Sequence, residues 1–247
     1  NWWGKNNNVS MEINYTIKVP VTNAVDLDNN YGAIHVNKLD GVAKIDCDYG
    51  QIIIGELNAD GNNLNFDYTS KSSIGYMKSG SINADYSSFI LDQAEQLDLN
   101  ADYTKSEIDR VKTLNYNCDY GSVKVHNVGD LNGNGDYIPT RLGTVTGSVN
   151  LEMGYGSIII ERLTEEAGNV SIESDYGSVK IGYDSNYHFD FDMKLAYCGL
   201  GGADNLEITR SEKDGSKKSY KGYYGKSGSG NQITIISDYG GVSLIKK

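Results

Sequence analysis

A tyrosine, followed in all turns but that of Tyr137 by glycine or a small polar residue, recurs along almost the whole chain. It stands at Tyr31, Tyr49, Tyr68, Tyr86, Tyr103, Tyr120, Tyr137, Tyr155 and Tyr176, at steps of 18, 19, 18, 17, 17, 17, 18 and 21 residues. The pattern loosens at Tyr197 and Tyr224 and closes at Tyr239. Self-similarity at such a period marks a repeat architecture, in which each unit hides its apolar face against the next. With the tyrosine as position zero, positions −6 and −4 are apolar almost throughout, as at Leu97 and Leu99 or Val149 and Leu151. Positions +3 and +5 repeat the theme at Ile52 and Ile54 or Val123 and Val125, and +8 is again apolar at Leu39, Leu57 and Val111. Alternation over so few residues belongs to a strand with one buried face. Each unit therefore reads as a strand from −6 to 0, a corner, a strand from +2 to +6, and a second corner near +8. Gly32, Gly50, Gly121, Gly156, Gly177 and Gly240 fill position +1, which suits a bend at positive φ; Ser87 and Thr104 hold the same place.

A unit of about 18 residues is too short for a βαβ crossover, which needs a dozen residues for the connection alone. Stacked coils let every strand pair in parallel with its equivalents above and below at about 4.8 Å per coil. The expected fold is thus all-β, a parallel β-helix (solenoid) of about twelve coils, a rod on the order of 55 Å long, with the right-handed path that parallel connections favour. Within it, 1–24 is expected to supply an N-terminal strand or cap, because Met11 to Val19 alternates, with Trp2 and Trp3 covering the first coil. Regular coils follow over 25–197. Residues 198–230 break the period and read as a loop or hairpin excursion, and 231–247 as the final coil. Composition agrees: 29 Gly, 2 Pro, 19 Tyr against 4 Phe, and only 38% hydrophobic residues suit a thin core shared among many turns.

Net charge is −11, from 22 Lys+Arg against 33 Asp+Glu. Such a surface repels nucleic acid and anionic membranes, so neither is expected as a partner, and no apolar run approaches the roughly 20 residues that span a bilayer. The residues Asn1-Trp2-Trp3-Gly4-Lys5 do not read as a signal peptide, which leaves the compartment open. Cys47 and Cys118 both fall at −2 on the inward face, four coils or about 19 Å apart, beyond disulfide reach. With Cys198 at a corner, three free thiols are expected.

The chemistry-bearing pattern is a row of carboxylates. Asp48, Asp67, Asp85, Asp102, Asp119, Asp136, Asp175 and Asp238 all occupy −1, opposite in parity to the apolar set, so they point outward. Position −3 adds Asp28, Asp46, Asn65, Asn83, Asn100, Asn117, Asn134, Glu152 and Glu173 to that face. One reading is structural, each Asp accepting a backbone N–H at the next corner. The other is a polar strip that holds a polysaccharide or bridges through Ca²⁺, which takes carboxylate and carbonyl oxygens. The tyrosines share parity with −4 and −6 and are expected to pack inside. His35, His126 and His188 fall at unrelated register positions and cannot converge on a metal. The Gly225-Lys226-Ser227 string lacks the upstream glycine and the helix of a phosphate loop. No catalytic residue, metal or cofactor is expected.

Ile13-Asn-Tyr-Thr-Ile-Lys-Val-Pro20, the repeated Asp-Tyr-Gly-Ser-Val-Lys units and the late Ser219-Tyr-Lys-Gly-Tyr-Tyr224 together resemble the adhesin domain family of bacterial envelope proteins, a β-solenoid repeat domain of unknown function. The resemblance runs from about residue 11 onward, and the order of the segments carries it. It implies a secreted or envelope-exposed solenoid and carries over no catalytic residues. The expected function is a non-enzymatic binding or adhesion module that presents a rigid Asp/Asn face to an extended ligand, such as a polysaccharide or another envelope component. The alternatives are a polysaccharide-active lyase or glycosidase, which needs two differently tuned carboxylates at a defined gap, and a structural spacer.

Overall fold

The alternating segments become strands where their period marks them. The computed structural model, which describes Met11 and residues 13–247, begins its first turn with β1 (Val25–Asn30) and β2 (Ala33–Leu39). There follow β3 (Ala43–Asp48), β4 (Gln51–Leu57) and β5 (Asn62–Asp67). Next, β6 (Ser72–Asp85), β7 (Ser88–Asn100), β8 (Lys105–Asn117) and β9 (Ser122–Gly135) each continue round the second corner unbroken, so one strand serves two walls. The walls separate again in β10 (Thr140–Val145), β11 (Val149–Tyr155), β12 (Ile158–Leu163), β13 (Val170–Tyr176) and β14 (Val179–Tyr183).

These strands pair in parallel with their equivalents one turn away and in register. Leu64 lies beside Ile82 and Ile82 beside Leu99; Ile108 lies beside Val125 and Val125 beside Leu142. Like side chains therefore stack in columns, and Ile45, Leu64, Ile82, Leu99, Leu114 and Leu142 are buried along the axis of the rod. The all-β solenoid read from the tyrosine period is the observed fold. It has about nine turns rather than twelve, one for each tyrosine from Tyr31 to Tyr176, and the rungs of β19 and β15 stack beyond them out of sequence order.

The C-terminal region breaks sequence order. β15 (Phe189–Ala196) and the short β16 (Leu200–Gly201) are followed by a 3-10 turn, Ala203–Asn205, and an antiparallel hairpin, β17 (Glu207–Asp214) and β18 (Lys217–Tyr224). The chain then returns as β19 (Gln232–Asp238) and β20 (Val242–Lys246). β19 lies between β13 and β15, with Ile235 beside Ile172 on one side and Met193 on the other. β20 lies between β14 and β16, with Val242 beside both Val179 and Leu200. The final coil is thus inserted into the stack, and the rung of β15 and β16 lies outside it. The loop that allows the return carries positive φ at Gly225, Gly228 and Gly230. Asp190 holds this loop through the Gly228 N–H at 2.9 Å, and the Ser229 hydroxyl donates to the His188 carbonyl at 2.8 Å. β18 pairs antiparallel with the outer edge of β15, Phe189 beside Tyr224 and Met193 beside Tyr220. The excursion expected at 198–230 is a hairpin that covers a strand edge which would otherwise be open to pairing.

The opening segment corrects the sequence reading. Residues 13–20 carry no strand, and Ile13, Tyr15, Ile17 and Val19 are exposed. Alternation says which face a strand would bury, not that a partner edge is within reach. A turn at Pro20, closed by the Asn23 N–H on the Pro20 carbonyl at 3.0 Å, separates this run from β1. Trp2 and Trp3 lie outside the described residues.

Candidate ligand-binding face

The corner at position zero sets the geometry of the surface. Tyr31, Tyr49, Tyr68, Tyr86, Tyr103, Tyr120, Tyr137, Tyr197 and Tyr239 all have φ between 50° and 63°, in the left-handed region. That conformation reverses the side chain's direction, so the strand parity that predicts burial stops one residue early. The tyrosines lie outside, from 38% exposed at Tyr155 to 79% at Tyr31, and the expectation that they pack within is overturned. An L-residue held there costs roughly 1–2 kcal/mol. Stacking offsets much of this, since each well-placed aromatic pair contributes about 0.5–1.5 kcal/mol beyond its burial. The column runs Tyr31, Tyr49, Tyr68, Tyr86, Tyr103, Tyr120, Tyr137, Tyr155, Tyr176, Tyr239, Tyr197. Neighbouring ring centroids are 4.5–5.2 Å apart and ring planes 2–12° from parallel. Partial desolvation, then the neighbouring phenols and aspartates, push the Tyr120, Tyr155 and Tyr239 hydroxyls above their ordinary range.

At those nine corners the residue at +1 does not supply the positive φ; Gly156, after Tyr155, does, at 143°. Glycine at +1 supplies room: a Cβ on Gly121 would overlap the Thr104 carbonyl of the turn before. Where Thr69, Ser87 and Thr104 stand instead, their hydroxyls bridge successive turns. Thr69 N–H donates to Ser87 Oγ at 3.0 Å and Ser87 N–H to Thr104 Oγ1 at 3.0 Å.

Beside the tyrosines runs the aspartate row. Asp48, Asp67, Asp102 and Asp119 are half-buried, while Asp85, Asp136 and Asp175 are exposed. From Asp67 to Asp136 each carboxylate Oδ1 accepts the backbone N–H of the next aspartate, at 3.1, 3.0, 3.0 and 2.6 Å. The corner is thus tied from turn to turn by the structural role weighed for this row, and one carboxylate oxygen per residue is committed to it. Burial, then the repulsion of Asp85 and Asp48, raises the Asp67 carboxyl above its usual range against the opposing pull of the Asp85 N–H. The row is not continuous: Gly154 occupies the corresponding place one turn before Asp175, so Asp175 stands apart from Asp136.

The outward side chains at −5 and −3 form a different surface. Asn83, Asn100, Asn117 and Asn134 make one file, and Asn115, Asn132 and Asn150 another, around a shallow trough of about 400 Å³. Strand register aligns them, Asn83 beside Asn100 beside Asn117 beside Asn134. Amides bond along the files: Asn115 Nδ2 to Asp98 Oδ1 at 2.8 Å, Asn132 Nδ2 to Asn115 Oδ1 at 3.2 Å, Asn83 Nδ2 to Asn65 Oδ1 at 2.7 Å. Leu99, Tyr116 and Gly133 also line the trough. The −5 file was not singled out from the sequence, although the spacing in Asn115-Tyr116-Asn117-Cys118-Asp119 and Asn132-Gly133-Asn134-Gly135-Asp136 displays it.

The remaining titratable groups are dispersed. Glu107 is held below the usual carboxylate range by Lys124 and then His126, at 2.7 and 3.2 Å. Among the described residues no group of three His, Cys, Asp or Glu side chains is placed to hold a metal ion. The three cysteines are free, Cys47 and Cys118 buried and Cys198 half-buried. Burial pushes the Cys118 thiol up to about 12 and raises that of Cys47, and thiolate is the reactive form. Iodoacetamide is expected to add one group to the native protein, at Cys198, and three in denaturant, as read by intact mass. Rapid native labelling of Cys118 would contradict its placement.

No protein-family model, no curated protein and no solved structure matches this chain.

Proposed function

We propose that this protein is a non-enzymatic binding module, secreted or exposed on the cell envelope, that holds an extended uncharged polysaccharide along the asparagine trough. The observation that carries the reading is the pair of in-register amide files, Asn83–Asn100–Asn117–Asn134 and Asn115–Asn132–Asn150, repeating once per turn. A carboxamide offers two N–H donors and an acceptor oxygen with two lone pairs. Asn115, which donates to Asp98 and accepts from Asn132, keeps one donor and one lone pair for a sugar hydroxyl. A polymer laid along the rod meets two outward polar side chains at every turn, Asn115/Asn117 and Asn132/Asn134 at the centre, with Asp98/Asn100 and Asn150/Glu152 flanking them, so weak contacts sum without any single pocket. The charge of −11 and the adjoining aspartates disfavour acidic glycans over neutral ones. The resemblance to the envelope adhesin domains supports the proposed location.

Affinity electrophoresis tests this directly, with the chain run through gels containing a soluble neutral β-glucan, dextran or alginate. Retardation in a neutral gel is expected, with little in alginate. The variant Asn100→Ala/Asn117→Ala/Asn134→Ala should weaken it at least tenfold, since neutral hydrogen bonds contribute about 0.5–1.5 kcal/mol each. No retardation in either neutral gel would sink the reading. Steady release of reducing ends would favour the glycosidase alternative.

A further inference from the structure

The tyrosine column is not a platform for sugars. A sugar's C–H groups seek the face of an aromatic ring, and the faces of the nine interior rings are covered by their neighbours at 4.5–5.2 Å. Only Tyr31 and Tyr197, at the two ends, have a ring face without a stacked neighbour in the column. About half of each interior ring is nonetheless exposed. What the column offers is therefore a ribbon of ring edges, about 50 Å long at ~4.8 Å per turn. Ring edges carry partial positive charge and ring faces partial negative charge, so an edge attracts the face of another π-system. A flat conjugated molecule laid along the ribbon would make one such edge-to-face contact with every tyrosine it crosses.

The ribbon's borders narrow the choice further. On the −1 side lie Asp48, Asp67, Asp85, Asp102, Asp119 and Asp136, and Asp67, Asp85, Asp102 and Asp119 each have an oxygen beyond the one that accepts the next turn's N–H. On the +2 side the residues are mostly small, Ser70, Ser88, Ser122, Ser157 and Ser178 among them, with Lys105 the cation at mid-column. One border is thus anionic and the other low. We propose that the tyrosine column is a binding site for elongated, planar aromatic cations, which lie along the rod with the electron-rich part of their π-face on the ring edges and their charged end toward the aspartates. The site is separate from the asparagine trough and does not rest on the polysaccharide reading.

Thioflavin T, a planar cationic benzothiazole, is the probe. It is about 15 Å long and would cover roughly four rings at ~4.8 Å per turn. Titration into the full chain is expected to give saturable fluorescence enhancement. The variant Tyr86→Asn/Tyr120→Asn/Tyr155→Asn leaves no uninterrupted run longer than three rings, and asparagine tolerates the left-handed corner. Affinity should fall at least tenfold while the β-sheet circular dichroism is kept. Should that variant fail to fold, Asp85→Asn/Asp102→Asn/Asp119→Asn decides the question, because an amide oxygen still accepts the next turn's N–H. It should weaken thioflavin T several-fold and leave an uncharged benzothiazole of the same shape unchanged. Absence of saturable enhancement, enhancement that survives in the folded tyrosine variant, or equal effects of the aspartate variant on both dyes would overturn the proposal.

Discussion

A chain ending at residue 230 is expected to lose the last two rungs of the rod and the hairpin of β17 and β18 while the turns before them stay folded. The reason is the insertion of β19 and β20 between strands that precede them in sequence. Ile233, Ile235, Val242 and Leu244 are all buried to 1% exposure or less. At about 1.5–3 kcal/mol for each fully buried aliphatic side chain, removing them forfeits apolar burial comparable with the entire stability of a small domain. This is an upper figure, because unfolded chains already bury some of that surface. The loss would not stop there. Without β19, β15 has no parallel neighbour on its inner side, and the hairpin of β17 and β18 is attached to the stack chiefly through β15. Because each turn of a solenoid contacts only its neighbours, the damage should stay local. Limited proteolysis with mass spectrometry is expected to show cuts throughout 184–230 and protection from Val25 to about Leu163. A truncated chain as protease-resistant in 184–230 as the full one would show that β15 closes onto β13 and that the insertion is dispensable.

The second large effect is expected inside the rod, where a glycine and a tyrosine share one space. Position −4 is held by large aliphatic residues in most turns, but Tyr116 is followed one turn later by Gly133. A Cβ on Gly133 would overlap the Tyr116 ring and crowd Leu151. Tyr116 is 4% exposed, and its hydroxyl is 2.8 Å from Oγ1 of the buried Thr140; burial raises its phenol far above the ordinary range. Gly133→Leu alone should destabilise by roughly 3 kcal/mol or more through overpacking. Tyr116→Leu alone should cost roughly 2–4 kcal/mol, from the void it leaves and the stranded Thr140 hydroxyl. The double variant restores the aliphatic column found in the neighbouring turns. It should be at least 2 kcal/mol more stable than the sum of the two predicts, a coupling of the size seen between residues in contact. Urea unfolding of the four proteins measures it, and simple additivity would refute the shared-space account.

Much of this was legible in the sequence, for a plain reason. A repeated unit writes its own register, so every Leu, Val and Ile at −6, −4, +3 and +5 could be assigned a side without coordinates. The same register placed the aspartates outward and the thiols of Cys47 and Cys118 inward. Three things were hidden. The tyrosines turn outward because parity holds only while the backbone stays extended, and nothing in Asp-Tyr-Gly announces that Tyr rather than Gly takes the left-handed corner. The order of the last turns was hidden because Ile233-Thr-Ile235-Ile-Ser-Asp-Tyr239 has the same pattern as any other unit, and pattern does not say which edge a strand will meet. The run from Met11 to Val19 misled for the converse reason, having the alternation of a strand although residues 13–20 form none. The asparagine files were in plain view, but two adjacent polar rows count as a surface only once the turns are known to align them.

One corner per turn sends a column of tyrosines into solvent, while Tyr116, Tyr183, Tyr187 and Tyr224 stay within. Hydroxyl-radical footprinting of the native chain, read tyrosine by tyrosine by mass spectrometry, tests it most directly. Tyr49, Tyr68, Tyr86, Tyr103, Tyr120 and Tyr137, each about half exposed, should be oxidised readily, and Tyr116, Tyr183 and Tyr187, each at 4% exposure or less, should be protected until the chain is unfolded. Protection of the repeat tyrosines alongside Tyr116 would place them in the core and contradict the account.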